Sequence, residues 1–571
     1  MKNDVLNDLQ IIEQAENSID TIFQSTDFPS TRYSSSLWHL LTCYEDRLRL
    51  SLMQVETPQQ LMKFSSFGGR DIYALRNAIS RVREQYNDDK NQLCPRKVDA
   101  PSYLRSHELL NAGEVYATAQ KIFGSFRGKS VSLNCNGTNI KVLHQPDVEA
   151  RYAAFELLSH GIEGITFIPR LLSWMKGDHP PTVDLIIKKV SYKKLLISYD
   201  FHPGYAYGLS LSLASEGGIL PPDWIFDWGG IKNTELLINA LHIRCIYHFI
   251  VIQFWASKVG LKGGGLESLV LKISKADLLR DISSMTQLDN SIILKFIKFL
   301  TFGNNTKFPD PALQPIIPIG EFYLLPTLLF MLSNHRRNLL SLQARVDAKN
   351  FDDQSKAFES AMTASIKKDF QNKWRYLKTN CIISFGSKKR ELDLLIVDEV
   401  SSTILIGELR WMIQPGDVRE ILNRANECRK KVSQCTSALI FFKNNLNYFL
   451  EKIFSHEIPA PKNGEWHVVG LVLIEGYSGI ESLNSEIPII NRNIFDVGMS
   501  EFNDLSVLHE WLKSLDWLPK NGIDFDEADY ITTIGEYKID QPGISLRTTP
   551  NEYAARAKKS ASTFIKSRFF N

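Results

Sequence analysis

Residues 391–398 read ELDLLIVD, and residues 404–411 read ILIGELRW. Both are short apolar runs, the pattern of strands that are buried on both faces in the middle of a sheet. Each run nevertheless contains a carboxylate, Asp393 in the first and Glu408 in the second. An ionised acid in such a place is costly unless a cation or a metal ion compensates its charge. The two segments therefore predict paired central strands that carry a divalent-metal site.

The spacing of the charged residues sharpens this prediction. Side chains alternate along a strand, so Glu408 and Arg410 project to the same face. A hairpin through residues 399–403 brings that face beside Asp393, because it folds the second strand back along the first. Two acids and a cation then converge, which is an arrangement typical of nucleases.

The flanking sequence predicts the elements around this pair. Upstream, apolar residues recur every fourth position from Phe358 to Trp374, which indicates an amphipathic helix. Downstream, Pro415 and Gly416 end the second of the two strands, and Asp417 and Glu420 have the spacing of a capping box that begins a helix. The predicted order is a helix over 353–376, a strand over 381–385, a basic turn over 386–390, the two central strands, the capped helix, and strands over 437–442 and 466–474.

This ordered set resembles the PD-(D/E)xK nuclease superfamily over about residues 350–500. The resemblance implies a restriction-endonuclease-like mixed β-sheet flanked by helices. It also implies that Asp393 and Glu408 bind Mg²⁺ or Mn²⁺. Arg410 would take the place of the superfamily's lysine, which orients the attacking water and stabilises the charge that develops on the phosphate.

The same resemblance implies roles for further residues. Glu359, on the first helix, would complete the metal shell; the alternative is an ordinary solvent-facing glutamate. Gln434, near the end of the second helix, resembles an accessory glutamine of the superfamily. The residues that would contact phosphate are Lys388, Lys389, Arg390 and Lys430.

Arginine at position 410 leaves alternatives open. Arginine stays protonated and binds phosphate as a fork, whereas lysine is a compact charge whose pKa can shift. The chain is therefore either an active DNA endonuclease or a degenerate nuclease-fold subunit that binds DNA or a partner protein as a scaffold. RNA is a further candidate substrate. A further alternative is that Asp393, Glu408 and Arg410 form a salt bridge with a purely structural role.

Composition limits the classes of protein and partner. A hydrophobic fraction of 44% with 23% charged residues is ordinary for a globular chain and excludes wholesale disorder. The net charge of +2 means that DNA must be held by local basic surface. The seven cysteines have no CxxC spacing, which indicates reduced thiols. The start of the chain has no signal pattern and the apolar run 245–256 is too short to span a membrane, so we expect a cytoplasmic protein with no membrane partner.

We expect an α/β multidomain protein whose N-terminal region is largely helical or mixed. Its nuclease-like domain would be the effector of a restriction or antiphage-defence system, with the earlier residues choosing the substrate or a partner protein. The predicted segments are a helical region over 1–95, a mixed α/β module with a β-hairpin over 100–225, a helical bridge over 230–345, the nuclease-like domain over 350–515 and a C-terminal tail or helix over 516–571. In the second segment the hairpin turns at Asn136 and Gly137, and further strands are predicted over 182–187 and 194–199. In the third, the apolar periodicity of residues 236–255 predicts one long, largely buried helix.

Overall fold

The computed structural model describes most of the chain. The described residues are 2–86, 95, 98–128, 131–143, 148–160, 168–175, 187–191, 196–211, 220–221, 223–258, 269–413, 418–454, 458–462, 464–475 and 486–569. Within these ranges the protein is mixed α/β, with 18 helices and with 16 strands in five sheets. This confirms the predicted α/β class.

The described helices are numbered in chain order. They are α1 (Lys2–Ser25), α2 (Tyr33–Met53), α3 (Pro58–Tyr86), α4 (Ala100–Arg127), α5 (Val148–His160), α6 (Ile168–Met175), α7 (Pro203–Leu211), α8 (Ile231–Lys258), α9 (Lys275–Thr286), α10 (Asn290–Phe299), α11 (Thr327–Met331), α12 (His335–Val346), α13 (Ala348–Phe370), α14 (Val418–Lys443), α15 (Leu446–Phe454), α16 (Arg492–Glu501), α17 (Leu505–Ser514) and α18 (Pro550–Phe569).

The described strands are numbered in the same way. They are β1 (Ser132–Asn136), β2 (Asn139–Leu143), β3 (Ile187–Ser191), β4 (Leu196–Tyr199), β5 (Ile225–Phe226), β6 (Gly229–Gly230), β7 (Val270–Ser274), β8 (Ile317–Ile319), β9 (Phe322–Pro326), β10 (Tyr376–Phe385), β11 (Lys388–Asp398), β12 (Thr403–Trp411), β13 (His467–Glu475), β14 (Ile489–Asn491), β15 (Phe525–Ile534) and β16 (Tyr537–Leu546).

The five-stranded sheet has the order β10-β11-β12-β13-β14. Its first three strands are antiparallel to one another, and β13 and β14 are added in parallel, so the sheet is mixed. Leu394 and Ile396 pack into a core with residues of α13, α16 and α17, while Leu395 and Val397 pack into a second core with residues of α14 and α15. The sheet therefore has helices on both faces, and β11 is buried on both sides as its sequence predicts.

One predicted strand of this region is wrong. Residues 437–442 lie inside α14, which continues to Lys443. Ala438 and Phe442 are buried while Ile440 is 56% exposed, a spacing of four residues that fits a helix and not a strand. The apolar run was too short for its period to show in the sequence. The predicted fifth strand, 466–474, is β13 and is the fourth strand of the sheet in chain order.

A second sheet combines strands from two distant parts of the chain. Its order is β1-β2-β16-β15, and β16 runs parallel to β2 from Lys538 to Asp540. Ile140 and Ile539 are fully buried there, with Phe123 of α4 in the same core. Residues 516–571, predicted as a tail or helix, thus include a hairpin that pairs with the N-terminal half. The division of the chain into five segments stays a prediction.

The hairpin predicted at Asn136 and Gly137 is present with a shift of one residue. Asn136 still pairs with Asn139, so the two turn residues are Gly137 and Thr138. Gly137 has φ +60°, a left-handed conformation that glycine adopts without strain. The predicted strands over 182–187 and 194–199 lie partly outside the described residues, as do Pro415, Gly416 and Asp417.

Helix α8 forms the centre of the N-terminal half, as the apolar periodicity of residues 236–255 predicts. It is the one described helix long and apolar enough to cross a membrane, but 78% of its most apolar stretch is buried inside the protein. Such burial is typical of the core helix of a soluble protein. The six cysteines within the described residues are free thiols.

Candidate active site

Asp393 and Glu408 meet where the pairing of β11 with β12 ends. Leu394 opposite Gly407 is the last regular pair, and the two acids are the next residues along each strand. Asp393 Oδ2 accepts a hydrogen bond of 2.7 Å from the Leu409 N–H. The carboxylate therefore takes the place of the carbonyl that would have bonded this amide in a longer ladder.

The backbone opposite Asp393 is distorted. Asn380 on β10 has φ +54°, in the left-handed region that asparagine tolerates better than most residues. Beyond it, β10 and β11 continue as a two-stranded ribbon without β12. Leu392, which simple alternation places on the face of Leu394, packs in the opposite core, so the alternation of side chains breaks beside Asn380 and Asp393.

Lys431 reaches both acids from α14. Its Nζ lies 3.1 Å from Glu408 Oε2 and 3.6 Å from Asp393 Oδ2. Lys431 is not among the site residues that the sequence predicts. The signal was present, because Lys431 follows Cys428 by three residues and precedes Cys435 by four, and both cysteines are buried against the sheet.

A second ion pair lies one step along the same strand and helix. Arg410 Nη2 is 3.9 Å from Glu427 Oε2. Two residues along a strand and four residues along a helix both advance by about 6 Å, so Glu408 and Arg410 on β12 match Lys431 and Glu427 on α14. Glu408 on strand β12 thus faces Lys431 on helix α14, and Arg410 on β12 faces Glu427 on α14.

Glu359 binds Arg410 rather than the acid pair. Its Oε1 accepts a hydrogen bond of 3.0 Å from Arg410 Nη1 and one of 3.4 Å from the Trp411 N–H. The stacking of Phe358 on Trp411, with ring centres 3.9 Å apart, fixes this part of α13 against β12. Among the described residues, no three His, Cys, Asp or Glu side chains are grouped so that they could hold a metal ion together. The structure thus joins Asp393 to Glu408 and places Glu359 beside Arg410.

The surroundings shift the pKa of several site residues. Burial raises the pKa of Glu408, and repulsion from Asp393 adds to this, while Lys431 and Arg390 oppose it. A hydrogen bond from Lys430 lowers the pKa of Glu427. The Glu408 carboxylate thus depends on Lys431 and Arg390 to offset the cost of its burial.

The acid pair offers ligands of the kind that magnesium takes. The hydrogen bonds and ion pairs of Asp393 use Oδ2, and those of Glu408 use Oε2. The second oxygen of each carboxylate has no hydrogen-bond partner among the described residues. Two carboxylates completed by water and phosphate oxygens are a usual donor set for Mg²⁺, so these residues fit the metal.

Two arginines of the site keep an unused donor. The Nε atoms of Arg410 and Arg424 are buried and have no hydrogen-bond partner among the described residues. Arg424 lies on α14, close enough to Arg410 for their like charges to interact, and burial lowers its pKa. An anion bound at this place would supply the missing acceptors.

The remaining predicted residues lie further out. Lys430 is exposed and bonds Glu427 at 2.7 Å, and Gln434 is exposed on α14. Lys388, Lys389 and Arg390 are exposed on the ribbon, where they begin β11 instead of forming a turn. Glu420, predicted to cap a helix, accepts hydrogen bonds from Arg337 and Arg345 of α12.

No family model, no curated protein and no solved structure matches the chain. The resemblance to PD-(D/E)xK nucleases therefore stays a prediction. It rests on the order of the elements and on the residues that they bring together.

Proposed function

We propose that the protein is a metal-dependent endonuclease that hydrolyses phosphodiester bonds in DNA. The observation that carries this proposal is the position of Lys431, whose Nζ faces two acids from adjoining strands at 3.1 and 3.6 Å. The element order α13, β10, β11, β12, α14, β13 also supports a restriction-endonuclease-like domain. Two acids and a lysine are the groups that phosphodiester hydrolysis with a metal ion needs.

In this mechanism Asp393 and Glu408 hold Mg²⁺ or Mn²⁺. When bound, the metal polarises the scissile phosphate and lowers the pKa of a water molecule. Lys431 supplies the compact, movable cation, since its ammonium group can orient the water and stabilise charge on the phosphate oxygens. Arg410, to which the resemblance gives the lysine's role, instead ties β12 to α13 through Glu359.

The rest of the chain would choose the substrate. In the proposed setting, an effector of restriction or antiphage defence in the cytoplasm, residues 1–330 select DNA or a partner protein. RNA is the alternative substrate and belongs in the same assay.

A second candidate function is a scaffold that binds DNA or a partner protein without cutting it. The observation that favours it is that the site's charges pair with one another. Lys431 pairs with Asp393 and Glu408, and Arg410 pairs with Glu359 and Glu427. Such a network also serves to pack α14 on β12.

Cleavage by the purified full-length protein separates the two functions. Plasmid, linear and single-stranded DNA and RNA would be incubated with Mg²⁺ or Mn²⁺, with EDTA as the metal-free control. We expect Asp393→Ala and Glu408→Ala to lower the cleavage rate about 10³-fold or more. Glu391→Ala is the matched control, because it removes an exposed acid two residues from Asp393 on the same strand.

Metal-dependent cleavage that persists in both Asp393→Ala and Glu408→Ala would disprove the proposed active site. If the wild-type protein binds DNA in a gel shift but does not cut under any of these conditions, the scaffold function is the correct one. Cleavage of RNA alone would replace the substrate and leave the mechanism in place.

A further inference from the structure

The β10–β11 ribbon extends away from the acid pair and carries exposed apolar side chains. Ile382 is 56% exposed and Phe385 is 48% exposed. Helix α15 lies against β10 and adds Tyr448, which is 44% exposed. The rings of Phe385 and Tyr448 meet edge to face, with centres 5.3 Å apart. Neighbouring exposed apolar groups of this kind mark interaction sites more often than isolated ones do.

Cations surround these two rings. Lys388 and Lys389 are exposed at the end of the ribbon, directly after the turn that follows Phe385. Lys452 Nζ lies 5.6 Å from the centre of the Tyr448 ring and donates a hydrogen bond of 3.3 Å to Ser384 Oγ. We call the group Phe385, Lys388, Lys389, Arg390, Tyr448 and Lys452 the ribbon surface.

The ribbon surface is continuous with the candidate active site. Lys388 is five residues from Asp393 on one extended strand, a distance of about 17 Å. Arg390 lies between them and is close enough to Glu408 to act on its charge. A polyanion lying along β11 would therefore pass from the aromatic rings to the acid pair beside Lys388, Lys389 and Arg390, with one exposed acid, Glu391, on the way.

Rings and cations side by side are what a single-stranded nucleic acid binds. Its bases are unpaired and can stack on aromatic side chains, while its phosphates meet the lysines. A duplex hides the faces of its bases, so it would use the cations and leave Phe385 and Tyr448 without a partner. The aromatic part of the surface thus decides between the two forms of DNA.

We propose that the ribbon surface binds single-stranded DNA, by stacking bases on Phe385 and Tyr448, and leads the strand to Asp393 and Glu408. This rests on the proposed nuclease function and narrows its substrate to single strands or to the unpaired parts of a duplex. The lysines contact the backbone without regard to sequence.

Binding without cleavage tests the surface directly. Fluorescence anisotropy would measure the affinity of the full-length protein, in EDTA, for labelled oligothymidylate and for a duplex of equal length. We expect tighter binding of the single strand, and we expect the double variant Phe385→Ala/Tyr448→Ala to lower its affinity about tenfold or more. Lys389→Gln should lower the slope of log affinity against log salt concentration by the amount that corresponds to about one phosphate contact.

Phe308→Ala is the matched control. Phe308 is 69% exposed and also lies beside a lysine, with Lys307 Nζ 5.6 Å from its ring centre, but it belongs to the loop between α10 and β8. Its loss should leave binding unchanged. Phe385 and Tyr448 are about half exposed and Phe308 is 69% exposed, and thermal unfolding would verify that each variant is folded.

The outcomes separate this proposal from the nuclease function. Three results would contradict the proposed role of the ribbon surface. The wild-type and double-variant proteins could bind the single strand equally, the wild-type protein could bind duplex and single strand equally, or it could bind neither. Each of these results is compatible with cleavage that depends on Asp393. If the double variant loses binding, while the wild-type protein cuts no nucleic acid with metal present, the surface stands and the nuclease function fails.

Discussion

Two clusters of inward-facing charge lie in different halves of the molecule. In the N-terminal half, Arg244 of α8 and Asp281 of α9 are 6% and 3% exposed, and their side chains are 2.9 Å apart. In the five-stranded sheet, Asp393 and Lys431 are 24% and 18% exposed. Solvent therefore reaches the second cluster and is nearly excluded from the first.

The two clusters also differ in how fully their hydrogen bonds are used. Arg244 also donates to the Tyr199 hydroxyl at 3.1 Å, and that hydroxyl in turn bonds His248 at 2.7 Å. In the sheet, by contrast, Asp393 and Glu408 each keep one oxygen without a partner among the described residues. Burial of charge alone is thus a poor sign of function. The open oxygens of the second cluster are what supports the proposed metal site there.

The largest effect expected is on the stability of the closed cluster. Arg244→Met leaves Asp281 buried without its main partner, which should lower the free energy of unfolding by about 3–5 kcal/mol. Urea unfolding would measure this. The double variant Arg244→Met/Asp281→Leu should recover much of the loss, because no buried charge remains. A loss as large in the double variant would show that packing, and not charge, is responsible.

The open cluster should respond in the opposite way. Lys431→Met should lower the rate of metal-dependent cleavage about 10²-fold and the free energy of unfolding by about 1–3 kcal/mol, because Asp393 is partly solvated while the Glu408 side chain is only 8% exposed and loses its cation. Cleavage kinetics and urea unfolding on the same preparation would show both. Lys430→Met, which removes the adjacent exposed lysine, is the control and should change neither. Cleavage at the wild-type rate in Lys431→Met would remove the main support for the nuclease.

The pH dependence of stability should come from a third buried ionisable group. Glu45 is fully buried, where it accepts the N–H groups of Leu328 and Leu329. Burial raises its pKa from 4.5 to about 8. Its contribution to stability is therefore complete below the unfolded pKa and is lost as the pH rises through the folded one.

We expect the free energy of unfolding to fall by roughly 2–4 kcal/mol between about pH 5 and about pH 9. Glu45→Gln should remove most of this slope, since glutamine carries no charge in either state. Urea unfolding at several pH values would measure it. An unchanged slope in the variant would mean that Glu45 remains ionised in the folded protein, held by the two amides.

The smallest effect is expected at residue 410, where the resemblance places a lysine and this chain has an arginine. Arg410→Lys keeps the positive charge beside Glu359, and Lys431 already supplies a lysine to the acids. Cleavage should therefore change less than about threefold. Single-turnover kinetics would measure it. A large gain in rate would show instead that residue 410 holds the lysine's role and that arginine there had weakened the enzyme.

The strands and acids of the site could be predicted because they violate a simple pattern. An apolar strand needs no carboxylate, so Asp393 and Glu408 stood out. The spacing of Lys431 from Cys428 and Cys435 places it on the side of the helix that faces the sheet, but the sequence does not show which strand residues it meets there. Arg244 and Asp281 lie on separate helices, and only the tertiary structure brings them together. Local periodicity thus predicts elements, whereas partners depend on packing.

The edge of β2 stays unpaired during synthesis until β16 has been made. The ribosome makes β2 about 400 residues before the strand that covers its edge, which at usual rates is roughly 20–80 s. During that time the first sheet is an open edge, the kind of surface on which unfinished chains aggregate. A chain that ends before Tyr537 would lack the strand that pairs with β2 and would keep this edge exposed.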